Sequence, residues 1–389
     1  MGWPVFADDE RAAAMRVLES GRVNYWTGQE GRAFEQEFAD YTLTNHAVAL
    51  ANGTVAIELA LHALGIGPGD DVIVPARTFV GTATAVVARG ARPVVADVER
   101  TSGNISAATI EAALTPATRC VISVHVGGLP CEMDEIMEIA RQHDLFVVED
   151  CAQAHGARWN NDPVGTIGHA GAFSFCQDKI MTTAGEGGML ITRDADLYRK
   201  AWSFKDHGRS AAAMERAAAQ GGYEFKYVVE EFGTNWRMTE IQAAIGRVQL
   251  RKLDAWVEAR RANAAVLDEE LRGVPGLRLI EPPARAYHAY YKYYAYIEPG
   301  ALVGGWTRAR VLEEVNARGV TCLQGSCCEI YREEAFVRAG WGRTERLPVA
   351  AELGDTALML LVDPTLTPDD MRIAANAVRD VMSEATDGA

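Results

Sequence analysis

The feature that most constrains the fold is a regular alternation of short apolar runs with segments of helical spacing, between residues 47 and 150. The apolar runs are rich in Val, Ile and Leu along their whole length, which is typical of strands buried on both faces. Helices that connect such strands cover a mostly parallel sheet on both sides. The pattern predicts an α/β fold with strands at 47–51, 71–75, 94–97, 120–125 and 145–150 and helices at 55–64, 81–89, 105–114 and 133–142.

The chain changes character after Met238, where one long helix is predicted to run to about residue 271. Strands at 277–280, 290–297 and 359–362 then alternate with a helix at 307–318 and a last helix capped by Thr367. A chain of 389 residues is too long for one small core. We therefore expect a large domain at 1–250 and a smaller C-terminal α+β domain at 251–389, with the long helix between them.

One stretch, residues 173–188, places a lysine just after an apolar strand. Its sequence is Phe-Ser-Phe-Cys-Gln-Asp-Lys-Ile-Met-Thr-Thr-Ala-Gly-Glu-Gly-Gly, with the amine at Lys179. An amine enclosed by the neighbouring Phe, Ile and Met side chains loses hydration, which favours the neutral form that attacks a carbonyl. This predicts a Schiff-base lysine. A lysine that points into solvent from a loop is the alternative.

Polar residues follow the other predicted strands as well. In parallel sheets, ligands bind at the carboxyl ends of the strands. Each residue also has an ordinary interpretation, since Asp150 could cap a helix, His125 could be a satisfied core group and Phe79 could simply pack. Their common position at one edge favours a binding site that draws on Thr54, Arg77, Thr78, Phe79, His125, Asp150, Gln153, Ser174 and Lys179.

Gly53 and Thr54 lie where a helix is predicted to begin. Backbone N–H groups and the helix dipole hold a phosphate at such a position. The sequence Asn52-Gly53-Thr54 is equally consistent with a turn and a cap. The chain contains neither GxxxxGK[ST] nor GxGxxG after a strand, so it carries no P-loop or Rossmann fingerprint.

Asp150 and Gln153 add the groups that a pyridine ring needs. The carboxylate can pair with a protonated ring nitrogen, and the amide can contact a ring oxygen. With Lys179 for a Schiff base, Phe79 for stacking and Ser174 for a phosphate, the combination predicts a site for pyridoxal 5′-phosphate (PLP).

These motifs, together with Gly-Thr-Asn-Trp-Arg-Met at 233–238, resemble the DegT/DnrJ/StrS family of PLP-dependent sugar aminotransferases of fold type I. The resemblance extends from Gly28 to about Leu366, and its most specific parts are 149–156, 174–188 and 233–238. It implies that Lys179 bonds to the cofactor as a Schiff base and then moves a proton between the substrate and the cofactor.

The resemblance implies the other cofactor contacts too. Asp150 keeps the pyridine nitrogen protonated, Gln153 contacts the phenolic oxygen and Phe79 lies against the ring. Asn235 reaches the phosphate of a neighbouring subunit, so the resemblance implies a homodimer with shared active sites. The phosphate contacts within the chain are Gly53, Thr54 and Ser174.

The implied activity is transfer of an amino group from glutamate or glutamine to a keto-sugar, a nucleotide-linked 4-keto-6-deoxyhexose, in amino-sugar biosynthesis for a surface polysaccharide or an antibiotic. A cyclitol of the scyllo-inosose type or an aminoshikimate-branch substrate is the alternative within the family. Cys176-Gln177-Asp178 replaces the usual His-containing tripeptide and leaves the substrate class open. Sugar dehydratases of the family carry histidine in place of Lys179. A non-catalytic PLP-fold regulator is the alternative from another functional class.

The segment 209–232 interrupts the strand and helix pattern. A segment of this length in a compact domain is often functional, and we expect a lid over the substrate. A disordered surface loop is the alternative. The segment contains Tyr223, Phe225, Lys226 and Tyr227, and the residues expected to contact the substrate are Tyr25, His207, Ser326 and Tyr331.

Charge and cysteine content argue against several other functions. With 53 acidic and 38 basic residues the formal net charge is −15, so neither nucleic acid nor a membrane is an expected partner. The seven cysteines are scattered, unlike a secreted disulfide framework. Cys322, Cys327 and Cys328 lack CxxC spacing, and no metal site is expected. No signal peptide or membrane span is evident, which predicts a cytoplasmic protein.

Overall fold

The structure is a computed structural model that describes residues 2–220 and 226–387. Between residues 46 and 150, strands alternate with helices as the sequence predicts, and four strands without a helix between them follow up to residue 192. The elements are α1 (Asp8–Ser20), α2 (Glu30–Thr42), β1 (His46–Leu50), α3 (Gly53–Ala63), β2 (Asp71–Pro75), α4 (Gly81–Ala88), β3 (Arg92–Ala96), α5 (Ala107–Glu111), β4 (Thr118–Val124), α6 (Met133–Gln142), β5 (Phe146–Asp150), β6 (Arg158–Trp159), β7 (Asp162–Pro163), β8 (Ala170–Ser174) and β9 (Gly188–Thr192).

After β9, helices predominate before a second group of strands begins. These elements are α7 (Ala195–Lys205), α8 (Ala211–Gln220), α9 (Glu240–Leu250), α10 (Leu253–Leu271), β10 (Leu277–Leu279), β11 (Ala286–Tyr287), β12 (Tyr293–Ile297), α11 (Arg308–Ala317), β13 (Cys322–Leu323), α12 (Glu334–Arg338), α13 (Pro348–Thr356), β14 (Ala357–Leu360) and α14 (Pro368–Asp387).

The large sheet has seven strands in the order β1-β9-β8-β5-β4-β2-β3. The pairs β2 with β3, β2 with β4, β4 with β5 and β5 with β8 are parallel. β9 runs antiparallel to both of its neighbours, β1 and β8. Strands β2, β8 and β9 are buried at every residue, because helices cover both faces of the sheet. The predicted α/β class is confirmed.

A second sheet belongs to the C-terminal part of the chain. Its order is β10-β12-β14-β13, and the strand pairs are antiparallel. Its core contains side chains of β12 and β14 together with apolar residues of α10 and α14, among them Leu267 and Val378. This is the smaller α+β unit that the sequence predicts, whereas the boundary near residue 250 stays a prediction.

Two predicted elements differ from the structure. The expected single helix from Met238 is two helices, α9 and α10, and the break places the Lys252 ammonium 2.7 Å from carboxylate oxygens of both Asp9 and Glu10. The expected lid is not a loop throughout, because its Ala-rich part forms α8, and alanine has the highest helix propensity. The lid residues Tyr223 and Phe225 lie outside the described residues. Among the described helices, none combines the length and the apolar character that crossing a bilayer requires.

Candidate active site

The carboxyl ends of β1, β5 and β8 meet at one edge of the large sheet. Asp150, the last residue of β5, pairs with Ala172 of β8. Ser174, the last residue of β8, and Leu50, the last residue of β1, both pair with Gly188 of β9. The side chains that follow these strands are therefore neighbours, as the alternation of strands and helices predicts.

The turn between β1 and α3 packs directly against the end of β8. Asn52 caps α3, since its side-chain oxygen accepts a hydrogen bond from the N–H of Val55 at 3.0 Å. A Cβ atom at Gly53 would lie 2.6 Å from the Cβ atom of Ser174, so this approach requires glycine. The first N–H groups of α3 and the Ser174 hydroxyl thus lie side by side, where they can donate to one anion.

Asp150 is a buried carboxylate with a fixed orientation. Its Oδ2 atom accepts a hydrogen bond from Thr82 Oγ1 at 2.8 Å, and its Oδ1 atom accepts from the N–H of Ala152 at 3.1 Å. Burial raises the pKa of the Asp150 carboxyl, although these hydrogen bonds act in the opposite direction. The following residues, 151–157, form turns, so Asp150 does not cap a helix. A buried carboxylate of this kind gains stability from a cationic partner.

Lys179 lies in the loop between β8 and β9 on a firmly packed segment. Phe175, Ile180 and Met181 are fully buried, whereas 16% of the Lys179 side chain is exposed. The indole Nε1 of Trp3 donates a hydrogen bond to the carbonyl oxygen of Lys179 at 2.7 Å. The amine is therefore held near the protein surface and is accessible to a ligand.

Gln153 and Phe79 also lie at this edge of the sheet. The side-chain oxygen of Gln153 accepts a hydrogen bond from the N–H of Gly127 at 2.8 Å, so its NH₂ end is the one that can donate to a ligand. Phe79, which follows β2, is 68% exposed. A Cβ atom at Gly81 would lie 3.0 Å from both the Phe79 ring and Thr54 Oγ1, which places Thr54 and Phe79 together. Phe79 offers an uncovered ring face and does not simply pack in the core.

The donor set fits PLP. The start of α3 and Ser174 suit a phosphate, the Asp150 carboxylate suits a protonated ring nitrogen and the Lys179 amine suits an aldehyde. The close approach of Gly53 to Ser174 leaves no side chain between the helix end and a ligand.

His125 and Glu149 form a buried pair that is already satisfied. His125 Nδ1 accepts a hydrogen bond from the N–H of Cys131 at 3.0 Å, so Nε2 carries the proton and donates to Glu149 Oε2 at 3.1 Å. Glu149 also accepts from backbone N–H groups, including that of Gly165 at 2.8 Å. With Cys151 they form a cluster of metal-type ligands, but burial holds the pKa of the Cys151 thiol well above its usual value. These groups therefore serve the fold.

Asn235 lies on the surface, outside any helix. Its backbone bridges to Asp206, and Thr239, not Asn235, caps α9 by accepting from the N–H of Gln242 at 3.4 Å. The neighbouring Phe232 is 99% exposed. The Asn235 side chain is thus placed where a group outside its own loop can reach it.

Two of the expected substrate contacts are accessible. His207 is exposed and has a φ angle of 65°. Its backbone N–H donates to the carbonyl oxygen of Thr234, the residue before Asn235, at 2.8 Å. Ser326 is half-buried, and its N–H donates to the hydroxyl of Tyr294 at 3.0 Å. Both remain candidates for substrate contact.

The loop that carries Ser326 docks on the site edge. The N–H of Thr78 donates to the carbonyl oxygen of Cys327 at 3.1 Å, and the N–H of Ile330 donates to that of Ala76 at 3.1 Å. This part of the small unit therefore borders the segment that carries Phe79.

Tyr25 and Tyr331 lie in buried hydrogen-bond networks, and their expected contact with the substrate stays a prediction. Tyr25 is 2% exposed and donates its hydroxyl to Glu35 at 2.9 Å, with Lys205 Nζ 3.9 Å from the ring centroid. Tyr331 is 1% exposed and donates its hydroxyl to Glu329. Both hydroxyl groups are therefore engaged inside the protein.

Tyr25 also lines a cavity of about 680 Å³. Its walls come from α2, the start of β1 and α7, with Arg32 and Tyr198 among them. Neither Lys179 nor Asp150 lines this cavity. This cavity is therefore separate from the candidate active site, which is identified by the chemistry of the residues at the strand ends.

Sequence reasoning missed two residues that hold the site. Thr82 orients Asp150, and the only signal is its position in the first turn of the helix after Phe79. Trp3 binds the Lys179 backbone across 176 residues of sequence, a contact that no local pattern indicates.

We expect Trp3→Phe to destabilise the protein by about 1 kcal/mol, because a smaller aromatic ring remains while the hydrogen bond to Lys179 is lost. Urea unfolding measures the effect. Trp256→Phe is the matched control, since Trp256 packs edge-on against Trp3 with ring centroids 4.9 Å apart. Equal losses in the two variants would mean that ring size, and not the hydrogen bond, accounts for the change.

Comparisons with known proteins agree on one family. The model of the DegT/DnrJ/EryC1/StrS aminotransferase family matches residues 4–379. The chain is similar to the solved aminotransferase from Psychrobacter cryohalolentis, with 46% identity and a TM-score of 0.96 over 99% of each chain. It is 36% identical over 357 residues to UDP-N-acetyl-3-dehydro-alpha-D-glucosamine 3-aminotransferase of Acidithiobacillus ferrooxidans, covering 92% of this chain and 90% of the relative. It is 37% identical over 320 residues to L-glutamine:2-deoxy-scyllo-inosose aminotransferase of Streptomyces kanamyceticus, covering 81% of this chain and 74% of the relative.

Proposed function

Because the chain belongs to the DegT/DnrJ/EryC1/StrS aminotransferase family, whose enzymes are PLP-dependent, we propose that it moves an amino group from glutamate or glutamine to a keto-sugar. The proposed acceptor is a nucleotide-linked 4-keto-6-deoxyhexose. Relatives whose names specify amination of sugars linked to UDP or dTDP support a nucleotide-linked acceptor, although both names place the amine at carbon 3.

The observation that carries the proposal is that the Gly53–Ser174 contact and Asp150 lie at one edge of the sheet and that Lys179 interacts electrostatically with Asp150. Bound PLP supplies an aldehyde that accepts the amino group and a ring that withdraws electrons. In the proposal, the N–H groups of Gly53 and Thr54 and the Ser174 hydroxyl bind its phosphate.

The remaining residues orient the ring and move protons. Asp150 accepts a hydrogen bond from the protonated ring nitrogen, and Thr82 keeps the carboxylate in place. Gln153 donates its NH₂ to the ring oxygen, and Phe79 covers one ring face and excludes water. Lys179 Nζ takes a proton from the α-carbon of the amino donor and delivers it to the carbon of the cofactor that carried the aldehyde.

We further propose a homodimer in which Asn235 of one chain donates to the phosphate bound by the other. The exposed Asn235 side chain supports this, because it is not needed to cap α9, the helix that follows it, which Thr239 caps. The adjacent Phe232, 99% exposed in the single chain, is apolar surface that a second copy would cover.

A cyclitol ketone is the second candidate acceptor. The similarity to an L-glutamine:2-deoxy-scyllo-inosose aminotransferase favours it, and the identity of 37% is comparable to the 36% shared with the sugar enzyme. Overall identity therefore does not separate the two substrate classes.

Two measurements test the proposal. Glutamate or glutamine added to the PLP-loaded protein should bleach the visible absorbance and raise the band of the amine form, whereas a chromophore that ignores every amino donor would contradict an aminotransferase. A panel of nucleotide-linked keto-sugars and cyclitol ketones, with products identified by mass, then selects the acceptor. Amination of cyclitols alone would overturn the sugar assignment.

Asp150→Asn is expected to lower turnover by roughly 10²-fold or more, because a neutral amide does not keep the ring nitrogen protonated. The protein should still fold, since the amide keeps an acceptor for Thr82. Thr82→Val is the matched variant and should give a smaller loss, as it removes one orienting hydrogen bond and keeps the charge. Steady-state kinetics and circular dichroism measure both effects, and full activity in Asp150→Asn would remove Asp150 from the proposed site.

A further inference from the structure

Asp178, the residue before the proposed reactive lysine, is bound from a distant part of the chain. The hydroxyl of Tyr291 donates a hydrogen bond to Asp178 Oδ2 across 113 residues of sequence. The other oxygen, Oδ1, lies 4.0 Å from Lys179 Nζ. Tyr291 is 5% exposed, so its ring and hydroxyl are held firmly. One carboxylate therefore links Lys179 to the segment just before β12.

The Tyr291 ring also faces two amines. Lys179 Nζ lies 5.0 Å from the ring centroid, and Lys292 Nζ lies 4.8 Å from it. Both distances suit a cation–π interaction. Two ammonium groups on one ring repel each other, so the Asp178 carboxylate is the charge that makes the arrangement favourable.

The charge states follow from these contacts. Burial lowers the pKa of Lys292, and the Asp178 carboxylate acts in the opposite direction. Burial of Asp178 itself is outweighed by the Lys179 ammonium and the Tyr291 hydroxyl, which hold the pKa of the Asp178 carboxyl below its usual value. Asp178 is therefore ionised at neutral pH.

The backbone on both sides of the cluster is fixed. Trp3 donates to the carbonyl oxygen of Lys179 at 2.7 Å, and Arg260 Nη1 donates to that of Tyr291 at 3.2 Å. Arg260 is 1% exposed and lies over the Trp3 ring at 5.1 Å. An ion pair between two exposed side chains would contribute little binding energy. In this cluster 57% of the Asp178 side chain is exposed, but only 16% of the Lys179 side chain is.

Other charged or titratable groups also act on this cluster. Asp150 and His155 interact electrostatically with Lys179, and Arg260 and Asp363 with Lys292. Burial lowers the pKa of His155 to about 3, so it is neutral. None of these groups changes in the variants below.

From this geometry we propose that Asp178 and Tyr291 form a clamp that positions Lys179, with Lys292 as the opposing charge. The inference rests on the proposed role of Lys179. The clamp holds the lysine amine over the Tyr291 ring and beside the Asp178 carboxylate whenever the amine is not bonded elsewhere, and Lys292, a like charge on the same ring, weakens this hold. Asp178 and Tyr291 act through Lys179 and are therefore positioning residues.

The first test is Asp178→Asn in the full-length chain freed of PLP, with folding verified by circular dichroism. Acetic anhydride labels only the unprotonated amine, and mass spectrometry of the Lys179 peptide gives labelling rate against pH. Loss of the nearby negative charge should move the labelling midpoint down by roughly one pH unit, so labelling below the midpoint becomes about tenfold faster. The shift should shrink in 1 M salt, because Asp178 is partly exposed.

Three further variants make the test specific. Tyr291→Phe keeps the ring and the charge of Asp178 but releases the carboxylate, so the midpoint should fall by less than in Asp178→Asn. Lys292→Gln removes the like charge and should raise the midpoint. Asp144→Asn is the matched control, because it removes the same charge at an exposed position whose φ angle of 54° asparagine tolerates. The PLP-loaded variants should show shifts of the same sign in the pH midpoint of their visible absorbance.

An unchanged midpoint in Asp178→Asn, or an equal shift in Asp144→Asn, would overturn the clamp. A lower midpoint in Lys292→Gln would overturn its opposing role. These outcomes are independent of catalysis: if Lys179→Ala retained full activity, the proposed function of Lys179 would fail while the labelling results would still decide whether the clamp exists.

Discussion

Lys179→Ala is expected to abolish transamination, with a loss of more than about 10⁴-fold in turnover. The amine supplies both the covalent bond to PLP and the proton transfer, and no other group at the strand ends replaces both functions. PLP should still bind without a covalent bond, because the Gly53–Ser174 contact and the Asp150 carboxylate are unchanged. Steady-state kinetics with glutamate and a keto-sugar measures the loss.

Borohydride reduction identifies the lysine that is covalently bonded to PLP. Reduction should fix PLP to the peptide that contains Lys179 in the wild-type protein and should leave the variant chain unmodified. Lys200→Ala, which removes an exposed lysine of α7, is the control and should be labelled and active like the wild type. Turnover close to the wild type in Lys179→Ala, or PLP fixed to another lysine, would contradict the assignment.

The fold was predictable where local pattern and burial agree. The strand at 71–75 and the helix at 133–142 have in the structure the bounds that the sequence predicts, because β2 is buried at every residue and α6 carries its apolar residues on one face. Tertiary contacts decided the exceptions. The break between α9 and α10 places Lys252 on two carboxylates of α1, which the helical pattern of 238–271 does not indicate.

The candidate site was predictable as a set of strand-end residues but not as a network. Asp150 and Ser174 end strands and Gly53 follows one, so the sheet itself brings them together. The sequence does not distinguish a tyrosine whose hydroxyl meets a ligand from one that donates to a buried glutamate, as Tyr25 does. The hydrogen bond from Tyr291 to Asp178 could not be predicted either, since the aromatic run that contains Tyr291 is equally typical of a packed strand.

The proposed sharing of active sites between two chains leads to a prediction about mixtures of inactive proteins. Asn235→Asp should be inactive, because a carboxylate repels the phosphate that the amide is proposed to bind. The fold should tolerate the change, since Asn235 is exposed and Thr239 caps α9. Lys179→Ala is inactive for a separate reason. If Asn235 serves the opposite chain, each mixed dimer contains one site with both lesions and one site with neither.

Mixing the two inactive variants and allowing subunits to exchange should therefore restore activity. With random exchange, half of the dimers are mixed and each has one intact site, so activity should reach about a quarter of the wild-type value per chain. Native mass spectrometry verifies exchange, and a mixture of Lys179→Ala with Lys179→Ala,Asn235→Asp is the matched control, since no combination of those chains contains an intact site. If Asn235 serves its own chain, each chain of a mixed dimer keeps its own lesion and no activity returns. Failure of complementation after verified exchange, full activity of Asn235→Asp alone, or a fully active monomer by sedimentation would each refute the shared site.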